Sequence, residues 1–206
     1  MVRPLRHTSN GMDLKTFIFM GRSGCGKGTQ AKLLIDELKK RDPVREVTYL
    51  ESGEGFRELL AQDTHTSLLA KDIMDRGALQ PAFLAIHIWS HLFIKNMKGD
   101  EHMVIDGTPR KLNEARIFAD ALRFYKRPEP AVLHVNVSRA WSRERLLSRG
   151  RGDDKSANIE GRLDWFDSAV VPAIEYFRDE ADMRVIDING EQSIEDVKAE
   201  ILGKVF

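Results

Sequence analysis

The apolar run Phe17-Ile18-Phe19-Met20 leads straight into Gly21-Arg22-Ser23-Gly24-Cys25-Gly26-Lys27-Gly28-Thr29-Gln30. This reads as a strand delivered into a glycine-rich loop and then a helix, the opening unit of an α/β architecture. Glycines at 21, 24, 26 and 28 let backbone N–H groups converge on phosphate oxygens, and the helix opening at Lys27 aims its positive dipole end at the same place. Lys27 adds a full positive charge for β- and γ-phosphates, and Thr29 a hydroxyl close to where Mg²⁺ would sit. A glycine-rich turn alone could be purely structural. The strand before it, the Gly26-Lys27 pair within it and the amphipathic helix after it make it a phosphate cradle, formed by Gly24, Cys25, Gly26, Lys27, Gly28 and Thr29. The Cys25 side chain itself is read as loop packing.

Apolar runs of strand length at 17–20, 47–50, 103–105, 131–137 and 184–188 alternate with long helical patterns. Strands buried on both faces with helices between them predict a central parallel five-stranded sheet covered on each side, a three-layer α/β fold. The helix from 27 to about 40 carries the core stripe Ala31, Leu33, Leu34, Ile35 and Leu38. Pro81 begins another, whose Phe83, Leu84, Ile88, Trp89 and Phe93 read as core. At 206 residues the chain fits one domain, with core segments 14–50, 83–148 and 163–206 and a flexible tail at 1–13. Two segments lie outside the sheet scheme: a helical insertion at 51–82 and a charged, glycine-bearing stretch at 149–162, both candidate flaps.

Lys and Arg together number 32, as do Asp and Glu, so no net field draws the chain to nucleic acid or to an acidic membrane. A single cysteine allows no internal disulfide, and no Cys/His spacing suits a structural zinc site. His87 and His91, four residues apart, come nearest to ligand spacing, but no third ligand accompanies them. The tail lacks the apolar core of a signal peptide and no stretch reaches membrane-spanning length, so a cytoplasmic monomer is expected.

The chemistry sits in two further groups. Met103-Val104-Ile105 ends in Asp106-Gly107, which puts a carboxylate at the carboxyl edge of a buried strand, where parallel sheets place ligand groups. Arg110 follows directly after Pro109 near the same edge. The arginines Arg57, Arg110, Arg145, Arg149, Arg151 and Arg162 form the decisive set. Phosphoryl transfer between nucleotides gathers several anionic groups and spreads charge over the transferring one, and guanidinium donors suit that charge. Arg145 and Arg149, at i and i+4 on one helix face, can reach a common ligand.

From residue 16 onward the chain resembles adenylate kinase and the wider nucleoside monophosphate kinase family. The carriers are the loop Gly21 to Gln30, Glu51-Ser52-Gly53-Glu54-Gly55-Phe56-Arg57, Asp106-Gly107-Thr108-Pro109-Arg110, Arg145-Leu146-Leu147-Ser148-Arg149, and Arg151-Gly152-Asp153-Asp154 with Arg162. The resemblance implies a P-loop kinase in which 51–82 binds the monophosphate and 149–162 is a minimal lid. It implies that Lys27 neutralises the ATP phosphates and that Arg57 and Arg110 grip the monophosphate. Arg149, Arg151 and Arg162 would close over the transferring phosphoryl, Arg145 would stack on the ATP base, and Gly190 would contact that base through its backbone. Asp106, together with Glu54, would organise Mg²⁺ through water, with Thr29 nearby. Ser52, Gly53, Gln80, Gly107 and Glu114 complete the implied acceptor pocket.

Departures from the family pattern concentrate in that pocket. Glu114 stands where an adenylate kinase carries a base-reading glutamine, and an ionised glutamate only accepts hydrogen bonds. Guanine, with two donors on its Watson–Crick edge, therefore competes with adenine for this site, unless Glu114 is turned to solvent. Ser52, Gln80 and Thr108 also depart from the pattern. A single residue, Gly150, separates Arg149 from Arg151, which leaves no room for a zinc-bearing lid. The expected function is transfer of the γ-phosphoryl of Mg-ATP to AMP. The alternatives are a GMP- or pyrimidine-selective kinase of the same fold, a catalytically weak nucleotide-binding regulatory module, or a small-metabolite kinase.

Overall fold

Five strands, β1 (Thr16–Met20), β2 (Val47–Glu51), β3 (His102–Asp106), β4 (Ala131–Asn136) and β5 (Arg184–Asn189), pair in parallel in the order β2-β3-β1-β4-β5. They belong to a computed structural model that describes residues 12–149, 156–181 and 183–206. Most of the expected tail, together with Arg151, Gly152, Asp153 and Asp154, lies outside the described residues. The strands match the apolar runs to within a residue or two, and the physical reason is visible in β1. Its alternate residues enter different cores: Ile18 and Met20 face one side of the sheet, Phe17 and Phe19 the other.

The first face is covered by Trp89 and Phe93 of α4 (Ala82–Asn96), Phe118 and Leu122 of α5 (Leu112–Phe124), and Ile174 and Phe177 of α8 (Val171–Asp179). The rings of Trp89, Phe93 and Phe118 meet edge to face with centroids 5.3–5.6 Å apart. Ala31, Leu34 and Leu38 of α1 (Lys27–Arg41) and Val197 and Ile201 of α9 (Ile194–Val205) cover the other. Each large side chain so buried contributes about 1.5–3 kcal/mol. The Trp89 and Phe93 rings are therefore core, as read from sequence, whereas Phe83, also read as core, is exposed because it falls on the outer face of the first turn of α4.

Between β2 and β3 the chain is helical: α2 (Ser52–Leu60), α3 (His65–Asp75) and then α4. Pro81 is the residue capping α4 rather than its first helical position. α2 crosses α4 so closely that a Cβ on Gly55 would lie 2.6 Å from Ile88 Cγ2. Thr64 and Ser67 form a reciprocal capping box at the start of α3. Further on, α6 (Arg139–Arg149) and α7 (Ser156–Trp165) pack through Leu146, Ile159 and Leu163. Arg139 bridges Glu160 and Asp164 at 2.7 Å each, and Arg143 reaches Glu160 at 2.8 Å. A π-helical turn, Phe166–Val170, joins α7 to α8. No helix among the described residues is long and apolar enough to cross a membrane.

The amino-terminal end of the sheet holds a buried histidine. His102 accepts the Lys15 backbone N–H on Nδ1 at 3.0 Å and presents Nε2 to Asp42 Oδ2 at 3.2 Å, so a neutral ring protonated on Nε2 satisfies both neighbours. A second proton would occupy Nδ1 and break the Lys15 bond. Burial lowers the His102 pKa against the opposing pull of Asp42, and burial lowers that of His134 as well. The unfolded chain therefore takes up these protons first, so the stability from both groups is complete above the unfolded value of about 6.5 and is lost as pH falls through the depressed folded values. We expect a thermal midpoint that is flat from about pH 8 to 7, falls below about pH 6.5, and falls less steeply in His102→Gln. Identical pH profiles for the two proteins would contradict the assignment.

Candidate active site

Because all the strands run the same way, their carboxyl ends and the loops that follow share one edge of the sheet. Strand pairing sets Asp106 opposite both Phe19 and Glu51, which brings the loop after β1, the end of β3 and the start of α2 together.

The loop after β1 has the geometry of a cradle. Gly26 caps α1 in a left-handed conformation at φ 94°, which an L side chain rarely adopts. Gly21, at φ +147°, leaves no space for a side chain: a Cβ would lie 2.4 Å from the Val135 carbonyl oxygen. Cys25 is buried in the core beneath the loop, as expected for a packing side chain, and its N–H is engaged by the Arg22 carbonyl at 3.2 Å. The Lys27 ammonium curls back to donate to the carbonyls of Gly21 at 2.8 Å and Arg22 at 2.9 Å. Thr29 is exposed on the first turn of α1. The Asp106 carboxylate abuts that turn, with Oδ2 3.5 Å from where a Cβ on Gly28 would stand. Burial raises the pKa of Asp106, and the charges of Lys27 and Arg110 oppose the rise.

A second group lies on the other side of Asp106. A Cβ on Gly107 would come within 2.7 Å of Ser52 Oγ, 3.5 Å of the Arg110 guanidinium and 3.9 Å of the Gly53 nitrogen. A Cβ on Gly53 would in turn lie 3.3 Å from the Arg57 guanidinium, which pairs with Glu51 at 3.0 Å. Arg110 follows the cis peptide Thr108–Pro109 and is pinned by its own Nε, which donates to the Gly107 carbonyl at 2.8 Å. Burial lowers the Arg110 pKa, while Glu114 and Asp106 act to keep it charged. Glu114 is not turned to solvent. It is 2 % exposed and accepts the Arg110 backbone N–H on Oε2 at 3.0 Å. Gln80 Nε2 donates to the Ala70 carbonyl at 2.8 Å, and the Gln80 backbone carbonyl accepts Lys111 Nζ at 3.0 Å, next to the start of α5. Ser52 Oγ, Gln80 Oε1 and Thr108 Oγ1 are buried without a hydrogen-bond partner among the described residues.

The family model for adenylate kinase matches residues 19–182, a span that takes in both groups. The chain belongs to the adenylate kinase family. It is similar to the adenylate kinase of Prochlorococcus marinus strain AS9601, 30% identical over 191 residues that cover 93% of this chain and 98% of the relative. It is also similar to that of P. marinus subsp. pastoris, 32% identical with coverage of 93% and 97%, and to that of Oenococcus oeni, 29% identical with coverage of 87% and 93%. The α/β fold with its five-stranded parallel sheet agrees with this membership, and the protein is a phosphotransferase.

The remaining predicted residues involve α6, α7 and the loop after β5. A Cβ on Gly24 would meet the Ser142 carbonyl of α6 at 3.2 Å, and one on Gly190 would strike Val137 and Val135 at 2.6 and 2.8 Å. The Gly190 N–H is held by the Asn136 carbonyl at 2.8 Å, so the loop after β5 is fixed against the end of β4. The Arg145 guanidinium lies 4.5 Å from the Trp141 ring centroid, stacked on protein. Arg149 closes α6, and Arg162 on α7 is close enough to Arg110 to act on its charge.

The site also includes residues that sequence reading passed over. Arg22 forms a two-point pair with Asp167 at 2.5 and 3.1 Å and lies 4.4 Å from the Phe166 ring centroid. Trp165 faces Arg110, with the guanidinium 5.6 Å from its ring centroid. Tyr49 has its pKa raised by burial and then by the nearby charge of Asp106, Glu51 and Glu54, which places the exposed Glu54 within electrostatic reach of the site. Arg22 stands at a loop position whose residue type phosphate chemistry does not specify and Trp165 belongs to no motif, so neither carried a signal in the sequence.

Proposed function

We propose that this protein transfers the γ-phosphoryl of Mg-ATP to AMP, with the donor phosphates in the Lys27 cradle and the AMP phosphate between Arg57 and Arg110. The observation that carries the acceptor side is the set of buried, unpartnered oxygens of Ser52 and Thr108, beside Gly107, and of Gln80, whose backbone carbonyl meets Lys111 at the start of α5. Buried polar groups left without partners are costly, and a polar ligand would satisfy them.

The donor phosphates would take the Lys27 ammonium from the loop carbonyls of Gly21 and Arg22 that now hold it. The backbone of Gly24, Cys25, Gly26 and Gly28 would line the same phosphates, Arg145 and Gly190 would border the donor base, and Arg149, Arg151 and Arg162 would neutralise the transferring group. With Arg110 anchored to the Gly107 carbonyl, donor and acceptor phosphates would be held on either side of Asp106. Catalysis then comes from positioning and charge, with no covalent intermediate.

The residues fit Mg²⁺: one carboxylate, Asp106, abuts the helix turn that carries Thr29, and Mg²⁺ is usually held by one or two carboxylates, substrate phosphates and waters. Asp106, with Glu54 further out, would hold it through water, and the ion would neutralise charge on the β- and γ-phosphates.

Glu114 decides how the acceptor base is read. Burial raises its pKa, and the Arg110 N–H acts against that rise. A protonated Glu114 offers one donor and one acceptor, as glutamine does, and so suits adenine. The ionised form only accepts, so AMP binding weakens as pH rises through the raised folded value. We expect Glu114→Gln to increase the preference for AMP over GMP about tenfold at neutral pH, the worth of one hydrogen bond of about 1.4 kcal/mol. An unchanged preference would show that Glu114 does not read the base. The test of the whole reading is transfer of labelled γ-phosphate from Mg-ATP to AMP, GMP, CMP and UMP in parallel, with AMP expected to dominate. Dominant transfer to GMP or a pyrimidine nucleotide, or none above a no-acceptor control, would overturn it. The family relationship does not favour those alternatives.

A further inference from the structure

Trp165, the last residue of α7, touches two parts of the protein that the sequence keeps far apart. Its indole Nε1–H donates to the Gly77 carbonyl at 3.1 Å. Gly77 lies in the connection from α3 to α4, and its φ of +66° is a conformation that favours glycine. The approach there is backbone on backbone: a Cβ on Gly77 would lie 2.8 Å from Asn158 Cα and 2.9 Å from the Asn158 carbonyl oxygen. A Cβ on Gly161, one turn further along α7, would lie 3.4 Å from the same Gly77 carbonyl. The indole ring, meanwhile, faces the Arg110 guanidinium and lines the cleft shared by Lys27, Gly21, Thr108 and Pro109.

We propose that Trp165 is a positioning residue for the acceptor, setting the inserted helices through Gly77 while it orients the guanidinium of Arg110. The proposal rests on the assignment of Arg110 to the acceptor phosphate. Two of its attachments are separable by chemistry. The N–H fixes the connection between α3 and α4 relative to α7. The ring face, rich in π-electron density, favours a guanidinium lying over it and limits where Arg110 can point. The ring lines the same cleft as Lys27, but neither attachment is made to a cradle residue, so loss of Trp165 weakens the acceptor more than the donor.

The test is steady-state kinetics with both substrates varied, on wild type and on Trp165→Phe, which keeps a ring for Arg110 and removes the N–H, with Trp165→Leu removing both. Trp165→Phe is expected to raise the KM for AMP about fivefold, with the KM for ATP nearly unchanged and the thermal midpoint lowered by about 2–4 °C, the cost of one hydrogen bond. Trp165→Leu should raise it further. Gly77→Ala, which pushes the same connection away from Asn158 without touching the indole, should shift the KM for AMP in the same direction. Equal rises in both KM values, or a change confined to the thermal midpoint, would reduce Trp165 to packing and overturn the proposal. Kinetics like wild type would also overturn it. Arg110→Ala is the control for the underlying assignment: an unchanged KM for AMP in that variant would refute the acceptor site itself. A readout on the wild type needs no folded variant. Of the indole N–H resonances of the three tryptophans, that of Trp165 is expected to shift on addition of AMP, and an unmoved resonance at saturation would overturn the proposal.

Discussion

Lys27→Ala is expected to lower kcat/KM for ATP by on the order of 10³-fold while the protein stays folded. The ammonium is the one lysine charge inside the cradle loop, and it is already gathered there by the Gly21 and Arg22 carbonyls, so it is pre-placed beside the donor phosphates at little cost in side-chain entropy. Removing it leaves the helix dipole and the backbone N–H groups, which bind phosphate but supply no full charge as the transfer proceeds. The loss should fall mainly on kcat, because charge on the transferring group is greatest in the transition state. Lys27→Arg should recover little, because a planar guanidinium presents a fixed fork of donors in place of the compact ammonium that the Gly21 and Arg22 carbonyls gather. A Lys27→Ala enzyme with a tenth or more of the wild-type kcat/KM would remove Lys27 from the mechanism.

The second large effect is on folding. Gly21→Ala is expected to destabilise the protein by about 3 kcal/mol or more, seen as a drop in thermal midpoint of about 6–12 °C. Its Cβ would lie 2.4 Å from the Val135 carbonyl oxygen and 2.9 Å from Cys25 Sγ, and its φ of +147° is strained for any L residue. The first of these neighbours is the backbone of a central strand, which has nowhere to move. Gly26→Ala is the matched comparison: its φ is +94° but a Cβ there would meet nothing within 4 Å. It should therefore cost only the backbone strain of about 1–2 kcal/mol. Chemical denaturation of the two variants measures the difference. Equal losses would mean that strain alone, and not contact with β4, makes glycine necessary at 21.

Much of the fold was legible in the chain because its strands are buried on both faces and therefore read as unbroken apolar runs; β1 and β3 were found to within one residue at each end. The helical insertion was visible as a long stretch without a strand. Its internal division was not visible, because the capping box of Thr64 and Ser67 that opens α3 involves no apolar periodicity. Lys27, Asp106 and Arg110 were legible because phosphate chemistry demands those residue types at the end of a strand or in a tight loop. Arg22 and Trp165 were not, because an arginine in a loop and a tryptophan on a helix have unremarkable local explanations. Only the π-helical turn after Trp165, packed against the cradle, brings Asp167 to Arg22 and the indole to Arg110.

The sequence by itself determined the order of strands and helices, the position of the cradle and the charges available to it. These depend on local spacing, on glycine where φ must be positive, and on apolar runs that have to be buried. Tertiary structure alone decided which groups meet across the sheet edge. Glu114 is the third residue of α5 and reaches back to the Arg110 N–H, a local contact of a helix's first turn; what the tertiary structure decides is that this turn is buried, so that the carboxylate is 2 % exposed rather than turned to solvent. Gly77 and Trp165 are 88 positions apart, and the hydrogen bond between them exists because α7 packs against the connection that follows α3, a contact between elements that no local pattern encodes.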